Sequence, residues 1–148
     1  GYSYVVKPIL KGKEMKKITG SCVCGKVEFS VADQFVYAGY CHCSMCRKSS
    51  GAAGTAIGGI PKNQFSITKG LHNIKRYKRT EESVSCFCEH CGSTLYGEKP
   101  SIQMVHVRYG ALNNSPTLLP QAHMHVSSKA DWYEISDELP QFSEFPTA

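Results

Sequence analysis

The sequence predicts a mainly β protein, and three observations lead to this class. With 148 residues, the chain is close to the usual size of one domain. Its composition, 41% hydrophobic and 20% charged, is typical of a globular protein and excludes a disordered chain or a coiled coil. Short stretches with a two-residue apolar repeat are separated by glycine, proline and asparagine, whereas no long window repeats every 3.6 residues. We therefore expect one domain over residues 1–148, with its core at about 18–142.

The strands can be placed by their alternation and by the turn residues between them. Val27, Phe29 and Val31 alternate with polar residues and Asp33 follows, so residues 26–31 are predicted to form a half-buried strand. Further strands are predicted over residues 35–40, 54–57, 65–68, 74–77, 84–88, 93–96 and 102–108. Short helical turns are expected at residues 43–50 and 110–114. The ends, residues 1–7 and 143–148, are expected to be loose or used in packing.

Hydropathy and charge restrict the location and the partners of the chain. No run approaches the roughly 18 apolar residues of a membrane span, and residues 1–17 lack the continuous apolar segment of a signal peptide. We expect a cytoplasmic protein, because reducing conditions keep its eight cysteines available for metal. The net charge of +5 is modest and the basic residues are scattered, which argues against nucleic acid as a partner.

The cysteines carry most of the functional information. They fall in three groups, at residues 22–24, 41–46 and 86–91. A disulfide framework is typical of shorter, secreted chains, and cysteines two or three residues apart rarely pair with one another. Metal binding is therefore the better interpretation, with buried free thiols as the alternative.

One predicted site joins two distant groups of cysteines. Cys88 and Cys91 form a Cys-x-x-Cys turn followed by Gly92, which offers two sulfurs to one tetrahedral zinc ion. Cys22 and Cys24, if extended, point to the same side and can supply the other pair. Four sulfurs close the coordination of zinc, so this site is expected to be structural.

A second predicted site differs because it has three sulfurs. Cys41, Cys43 and Cys46 leave a fourth position open, which is the pattern of a catalytic zinc site where an organic thiol can bind. The alternative is that Cys86 or His42 closes the site and makes it structural. We expect Cys86 to pack into the core. His42, between two ligands, is expected to point away from them, in contact with solvent or supporting a ligand.

Three motifs, taken in order and spacing, resemble those of a known family. They are GSCVCGKVEF at residues 20–29, CHCSMCRKSSGA at 41–52 and FCEHCGS at 87–93, and the likeness extends over about residues 18–142 through His123, Ser128, Lys129, Trp132 and residues 137–142. They resemble the glutathione-dependent formaldehyde-activating enzyme family. The resemblance implies an Mss4-like, or β-tent, fold of short antiparallel strands with zinc-binding turns. It also implies the same two zinc sites, one structural and one catalytic.

The activity implied by this resemblance is the reaction of glutathione with formaldehyde. We therefore expect a zinc-dependent carbon–sulfur lyase acting on a thiol–aldehyde adduct such as S-hydroxymethylglutathione, or on a related small thiol or carbonyl compound. No membrane partner is expected, and a homodimer is the assembly considered beside the monomer. The rival functions are a non-catalytic partner-binding module, a nucleic-acid-binding module, and a methionine sulfoxide reductase. The last would need two Cys-x-x-Cys pairs, whereas the first pair here is Cys-x-Cys.

Basic residues next to the second zinc site are candidates for substrate binding. Arg47 and Lys48 directly follow a ligand and can attract an anionic substrate, the alternative being a solvated basic turn. Ser49 and Gly51 fit a turn whose backbone amides bind an oxyanion, or a plain helix cap.

Two histidines are candidates for moving a proton. His123 and His125 lie two residues apart and share one face if the backbone is extended. The alternative for His123 is a structural histidine with its hydrogen bonds satisfied. Trp132 is expected to pack against the sheet rather than to stack on a ligand. The predicted catalytic residues are therefore Arg47, Lys48 and His123.

Overall fold

The fold consists of short strands with very little helix, which confirms the mainly β class. The structure is a computed structural model that describes residues 16–146 of the chain. The one α-helix in this range is α1 (Ser44–Ser50), and no helix there is long and apolar enough to cross a membrane. The strands of this range are β1 (Lys17–Ser21), β2 (Glu28–Ala32), β3 (Tyr37–Cys41), β4 (Thr55–Pro61), β5 (Phe65–Lys69), β6 (Ile74–Thr80), β7 (Ser83–Cys88), β8 (Thr94–Lys99), β9 (Met104–Arg108) and β10 (His123–Met124).

The strands form two sheets. A three-stranded sheet has the order β1-β2-β5, and a seven-stranded sheet has the order β10-β3-β4-β9-β8-β7-β6. All neighbours are antiparallel except β10 and β3, which are parallel. Cys41 ends β3 and Cys88 ends β7, so the larger sheet delivers one cysteine of each predicted zinc site at the end of a strand.

The larger sheet has two unlike faces, and β9 shows the division. Val105 and Val107 are buried in the same hydrophobic cluster as Phe29 of the smaller sheet, so the two sheets share one core. Full burial of an apolar side chain of this size stabilises the folded state by about 1.5–3 kcal/mol. His106 and Arg108 alternate with the valines and point to the opposite face, where a cavity lies.

Two strands and part of a third were not expected from the sequence. β1 contains Gly20, a poor strand former, but a Cβ there would lie 2.0 Å from the Phe29 ring, so the close contact requires glycine. β10 has two residues and exists through its pairing with β3. β4 continues through Gly58 and Gly59, which the sequence analysis took as the end of a strand.

The turns and chain ends also differ in part from expectation. The helical turn expected at residues 110–114 is a 3₁₀ turn over Tyr109–Ala111. Near the end of the chain, the His125 amide donates to the Glu144 carbonyl at 2.8 Å and the Ser127 amide to the Ser143 carbonyl at 3.2 Å. The backbone of residues 143 and 144 is therefore held by hydrogen bonds although both residues are exposed, whereas the expectations for residues 1–7 and 147–148 lie outside the described residues.

Trp132 does not pack against the sheet, and that expectation is wrong. Its side chain is 73% exposed, and its recorded ring contact is with Tyr133, at a centroid distance of 6.4 Å. The residues around it form no strand and no helix, so nothing turns the indole toward the sheet.

Candidate metal centres and the adjoining cavity

The four-cysteine group is assembled from two turns that are far apart in sequence. The sulfur atoms of Cys22, Cys24, Cys88 and Cys91 all lie within 4.8 Å of one another. The Sγ–Sγ distance is 3.6 Å between Cys22 and Cys24, and 3.7 Å between Cys24 and Cys88. This is the group that the cysteine spacing predicts.

The geometry of the first pair differs from the extended segment that we expected. The Gly25 amide donates to the Cys22 carbonyl at 3.1 Å, so the two cysteines lie in a turn. The same bond runs from the Gly92 amide to the Cys88 carbonyl at 2.8 Å. Gly25 and Gly92 have φ angles of 77° and 78°, a region that residues with a Cβ rarely adopt. Two similar glycine-closed turns therefore present the four sulfurs.

The surroundings of these sulfurs fit a bound cation. The Val27 amide donates to the Cys22 sulfur at 3.3 Å. The hydroxyl and backbone of Ser93 lower the pKa of Cys91 to about 5 by hydrogen bonding to its sulfur. Several thiolates this close repel one another unless a cation lies between them, and a set of four sulfurs without oxygen ligands suits zinc.

The three-cysteine group is built within one short segment. Cys41 ends β3, Cys43 is the N-cap of α1, and Cys46 lies in the first turn of that helix. Their sulfur atoms lie within 4.8 Å of one another, and neither Cys86 nor His42 belongs to this group. The alternative in which one of these two residues closes the site is therefore not what the structure shows.

The three sulfurs interact strongly. Hydrogen bonds from Cys41 and Cys46 lower the pKa of Cys43, and the same contacts raise the pKa of Cys41. Nη2 of Arg79 lies 3.8 Å from the Cys46 sulfur and brings a positive charge to the group. Three sulfurs and no carboxylate again form a donor set that suits zinc.

Cys86 lies in the core, as predicted. It is fully buried on the same strand as Cys88 and belongs to the hydrophobic cluster shared by the two sheets. Burial raises its pKa to about 11, so it stays a neutral thiol at physiological pH.

A cavity of about 630 Å³ opens beside the three-cysteine group. Its apolar wall includes Met45, Ile57, Met124 and Phe145. Its polar lining includes Tyr37, Cys41, Cys43, Cys46, Arg79, Glu82, Lys99, His106, Arg108 and His125. None of the sulfurs of the four-cysteine group lines this cavity. A small molecule held there would contact three sulfurs and several cations.

Tyr37 and His106 form a polar pair in the cavity. A hydrogen bond joins the Tyr37 hydroxyl to Nε2 of His106, across Gly59 of the strand between them. A Cβ at position 59 would lie 2.2 Å from Cζ of Tyr37, so glycine is required for the ring to cross. Burial raises the pKa of Tyr37 to about 12 and, with the nearby cations Lys99 and Arg108, lowers the pKa of His106 to about 3. Both groups are therefore neutral at pH 7.

A second polar chain runs behind the cysteine loop. Nε2 of His42 lies 2.8 Å from Nδ1 of His123, and Nε2 of His123 lies 3.0 Å from both carboxylate oxygens of Asp137. Because a carboxylate accepts, His123 donates to Asp137 through Nε2, and its Nδ1 shares a hydrogen bond with Nε2 of His42. His42 is 3% exposed, so of its two expected roles the structure excludes contact with solvent and retains support of the ligand loop.

The two histidine candidates do not share a face. His125 has a φ of 55°, so the backbone is not extended there, and the premise that paired them is wrong. His125 lines the cavity, whereas His123 is buried with partners on both ring nitrogens and is absent from the cavity lining.

Replacing His123 by phenylalanine is expected to lower the free energy of unfolding by about 1–3 kcal/mol, the cost of an unsatisfied buried polar group. Phenylalanine keeps a ring between Tyr40 and His42 but leaves the buried Nε2 of His42 without its hydrogen-bond partner. Denaturant unfolding of the metal-loaded protein measures this change. Asp137→Asn, which keeps an oxygen acceptor at the exposed end, is the control with a smaller effect. Equal stability of His123→Phe and the parent protein would contradict the account.

The basic residues that follow Cys46 lie outside the cavity. Nε of Arg47 donates to the Ser128 carbonyl at 3.2 Å, and Lys48 is exposed. The Gly51 amide donates to the Arg47 carbonyl at 2.8 Å and ends the helix, so it is not available to an oxyanion. The Ser49 hydroxyl likewise donates to the Cys46 carbonyl. The helix-cap alternative therefore describes Ser49 and Gly51.

The sequence analysis missed the polar residues that do line the cavity. Arg79, Lys99 and Arg108 come from three different strands, and Tyr37 and His106 from two more positions of the same sheet. One signal was present in the chain, because residues 104–108 read Met-Val-His-Val-Arg. That alternation places His106 and Arg108 on the face opposite the buried valines.

Comparison with known proteins agrees with the fold and with the cysteine groups. The family model described as glutathione-dependent formaldehyde-activating enzyme matches residues 17–128, which include every cysteine of both groups. The chain belongs to this family. The resemblance stated from the three motifs is thus confirmed.

Relatives in the family are moderately similar. A Halomonas elongata protein, provisionally named a glutathione-dependent formaldehyde-activating enzyme, is 29% identical in an alignment of 126 positions that covers 80% of each chain. A Fusarium vanettenii protein with the same provisional name is 30% identical over 129 residues. That match covers 87% of this chain and 61% of the relative, so the chain spans about three fifths of the fungal protein.

A solved structure supports the fold. The crystal structure of a Rhodobacter sphaeroides protein superposes with a TM-score of 0.56 at 22% identity, covering 67% of this chain and 91% of that chain. The mainly β, Mss4-like fold expected from the resemblance is confirmed.

Proposed function

We propose that this member of the glutathione-dependent formaldehyde-activating enzyme family is a cytoplasmic, zinc-dependent carbon–sulfur lyase. Its substrate would be a thiol–aldehyde adduct such as S-hydroxymethylglutathione, or a related small thiol or carbonyl compound. The observation that carries the proposal is the position of the three-cysteine group in the wall of the cavity. A structural site alone would not need a cavity of this size next to its sulfurs.

The two cysteine groups would hold the metal in this proposal. The Cys22, Cys24, Cys88 and Cys91 group would hold a structural zinc ion and the Cys41, Cys43 and Cys46 group a catalytic one. A zinc ion with three protein ligands supplies a Lewis acid that lets a substrate thiol bind as its thiolate.

The chain's own residues would handle the aldehyde oxygen and exclude water. In the adduct-forming direction a sulfur–carbon bond forms and a proton passes to the former carbonyl oxygen; the lyase direction reverses both changes. Tyr37 and His106 are neutral and line the cavity, so their pair can hydrogen-bond that oxygen without a change of charge. Met45, Ile57 and Met124 give this side of the cavity an apolar wall.

The residues predicted as catalytic keep more limited proposed roles. Arg47 and Lys48 lie on α1 outside the cavity lining, so they would attract an anionic substrate toward the protein rather than contact the reacting atoms. His123 would act through His42, whose backbone joins Cys41 to Cys43.

An exchange experiment tests the proposed function. Glutathione and formaldehyde combine without help, so the informative quantity is the rate at which adduct and free formaldehyde interconvert, measured by exchange NMR. The zinc-loaded protein is expected to raise this rate in proportion to its concentration. Cys86→Ala, which retains all seven proposed ligands, serves as a control that should behave like the parent. An exchange rate equal to that with free zinc alone would contradict the proposal.

A further inference from the structure

We propose that Arg79, Lys99 and Arg108 form an anion-binding subsite in the cavity, which selects thiols that carry a carboxylate. This inference rests on the proposed function, because it defines which thiols the site accepts. It assigns substrate binding to three side chains of the sheet, in place of the basic pair on α1.

The sheet brings the three cations to one place. Arg79 lies near the end of β6, Lys99 ends β8 and Arg108 ends β9, and all three line the cavity beside the cysteines. For Lys99 and Arg108, the pairing register alternates core-facing residues with cavity-facing ones, so a change of one position would bury these two charges. Burial lowers the pKa of Lys99, and the nearby charges of Arg79 and Arg108 lower it further, as expected for cations that face one another.

Arg108 is buried without a carboxylate partner. Its side chain is 7% exposed, and its Nε is buried without a hydrogen-bond partner. In the part of the chain that the structure describes, no carboxylate forms an ion pair with Arg79, Lys99 or Arg108. The sulfurs of Cys46, Cys41 and Cys43 are the opposite charges that act on Arg108, so a buried guanidinium that lines the cavity without a carboxylate partner indicates a ligand with the opposite charge.

The negative charge of the zinc-bound sulfurs is too small to balance the three cations of the cavity. Three thiolates around one zinc ion leave a single negative charge, which the nearby Arg79 can balance. Glu82, an exposed residue, adds one carboxylate to the cavity lining. When the negative charges of the zinc–thiolate group and of Glu82 are both set against the three cations, positive charge remains in excess. The excess favours an anionic ligand over a neutral or cationic one.

The chemistry of the cations also indicates which anion fits. A guanidinium offers two parallel N–H donors that match a carboxylate, and phosphate or sulfonate oxygens share that chemistry. The cavity of about 630 Å³ is within the range of sites for small organic ligands. It therefore has room for a thiol with its anionic group several bonds from the sulfur.

A series of small thiols tests the charge preference. Binding to the zinc-loaded protein is measured by titration calorimetry with 3-mercaptopropionate, 2-mercaptoethanesulfonate, 2-mercaptoethanol and cysteamine, which differ mainly in charge and in the type of anion. We expect 3-mercaptopropionate to bind about tenfold more tightly than 2-mercaptoethanol, and cysteamine more weakly than both. Equal affinities across the series would overturn the subsite, and tighter binding of the sulfonate would overturn the preference for a carboxylate.

Substitutions of the cavity cations test which side chains cause the preference for anionic thiols. Lys99→Gln is expected to weaken binding of 3-mercaptopropionate about tenfold and to leave 2-mercaptoethanol unchanged. Arg79→Gln is expected to weaken both, and 3-mercaptopropionate more, because Arg79 also lies beside the Cys46 sulfur. These two variants suit the test better than Arg108→Gln, because Lys99 and Arg79 are less buried than Arg108. Lys75→Gln, an exposed position of β6 outside the cavity, is the matched control and should bind like the parent. If Lys99→Gln weakened every thiol equally or lowered the zinc content, the cations would serve the cysteines, and the proposal would be wrong.

A ligand without a free thiol separates this inference from the proposed reaction. S-methylglutathione carries two carboxylates but cannot offer a thiolate, and we expect it to bind in a manner that Lys99→Gln weakens. If it does so while the exchange rate stays at the spontaneous value, the subsite stands and the proposed reaction fails. If exchange is accelerated but neither Lys99→Gln nor Arg79→Gln changes the binding of anionic ligands, the reaction stands and the subsite fails.

Discussion

Replacing Cys88 by serine is expected to prevent the chain from folding. Cys88 is fully buried at the end of β7, and its sulfur lies 3.7 Å from that of Cys24, 64 residues away in sequence. A structural zinc site can be worth on the order of 10 kcal/mol, which equals the whole stability of many domains. Serine is a poor zinc ligand, so the variant should show neither a cooperative unfolding transition nor the native circular dichroism spectrum.

Cys86→Ala provides the matched control for this experiment. Cys86 lies on the same strand, is equally buried and belongs to neither cysteine group. Its loss should cost about 1–2 kcal/mol, as removal of a small buried side chain does, and should leave the metal content unchanged. If Cys86→Ala and Cys88→Ser were destabilised equally, Cys88 would be a packing residue and not a ligand.

The cysteine groups could be predicted because their information is local. Residues two or three apart in a turn are close in space whatever the rest of the chain does, so Cys88 with Cys91 and Cys41 with Cys43 could be paired from spacing. The correct grouping of Cys22 with Cys24 rested on an extended segment, whereas the structure uses a turn closed by Gly25. Both conformations bring the sulfurs together, so the error about the backbone did not change the predicted ligand set.

The cavity could not be predicted because it depends on register between distant strands. Arg79, Lys99 and Arg108 meet only once β6, β8 and β9 are aligned. Short strands with glycine, such as β1 and the second half of β4, could not be predicted either. Their strand propensity is low, and they form because aromatic rings pack closely against the glycines.

Adjacency to a ligand was misleading for Arg47 and Lys48. Cys46 faces inward from α1 and is buried, and successive residues of a helix are rotated by about 100°. The next two side chains therefore turn away from the cysteines, and Arg47 instead bonds to the Ser128 carbonyl. Residues next to a ligand on a helix are for this reason poorer candidates for substrate contacts than residues on a facing strand.

The two cysteine groups should differ in what they do for stability. The four-cysteine group connects the turn between β1 and β2 of the smaller sheet with the turn between β7 and β8 of the larger sheet, so its loss releases a long loop of the chain. The three-cysteine group lies within six residues of one strand, turn and helix, and closes no long loop. Removing a ligand from the second group should therefore have a local effect.

Cys43→Ser is expected to abolish the proposed exchange activity and to release one zinc ion per chain while the fold survives. Cys43 is the N-cap of α1, where its sulfur accepts from the Cys46 amide at 3.3 Å. Serine is among the preferred N-cap residues, so the variant keeps the helix start and loses mainly the thiolate. The cap substitution itself should change stability by about 1 kcal/mol or less, and any further loss should match what the released zinc ion contributes. Metal analysis, circular dichroism and exchange NMR on one preparation measure all three quantities.

Ser44→Ala is the control for Cys43→Ser, because Ser44 is the exposed next residue of the same helix and offers no thiolate. It should retain both zinc ions and the activity of the parent protein. Two outcomes would count against the division between a structural and a catalytic group. Cys43→Ser could unfold as completely as Cys88→Ser, which would make both groups structural. It could also keep full activity with one zinc ion lost, which would place the reaction away from these three sulfurs.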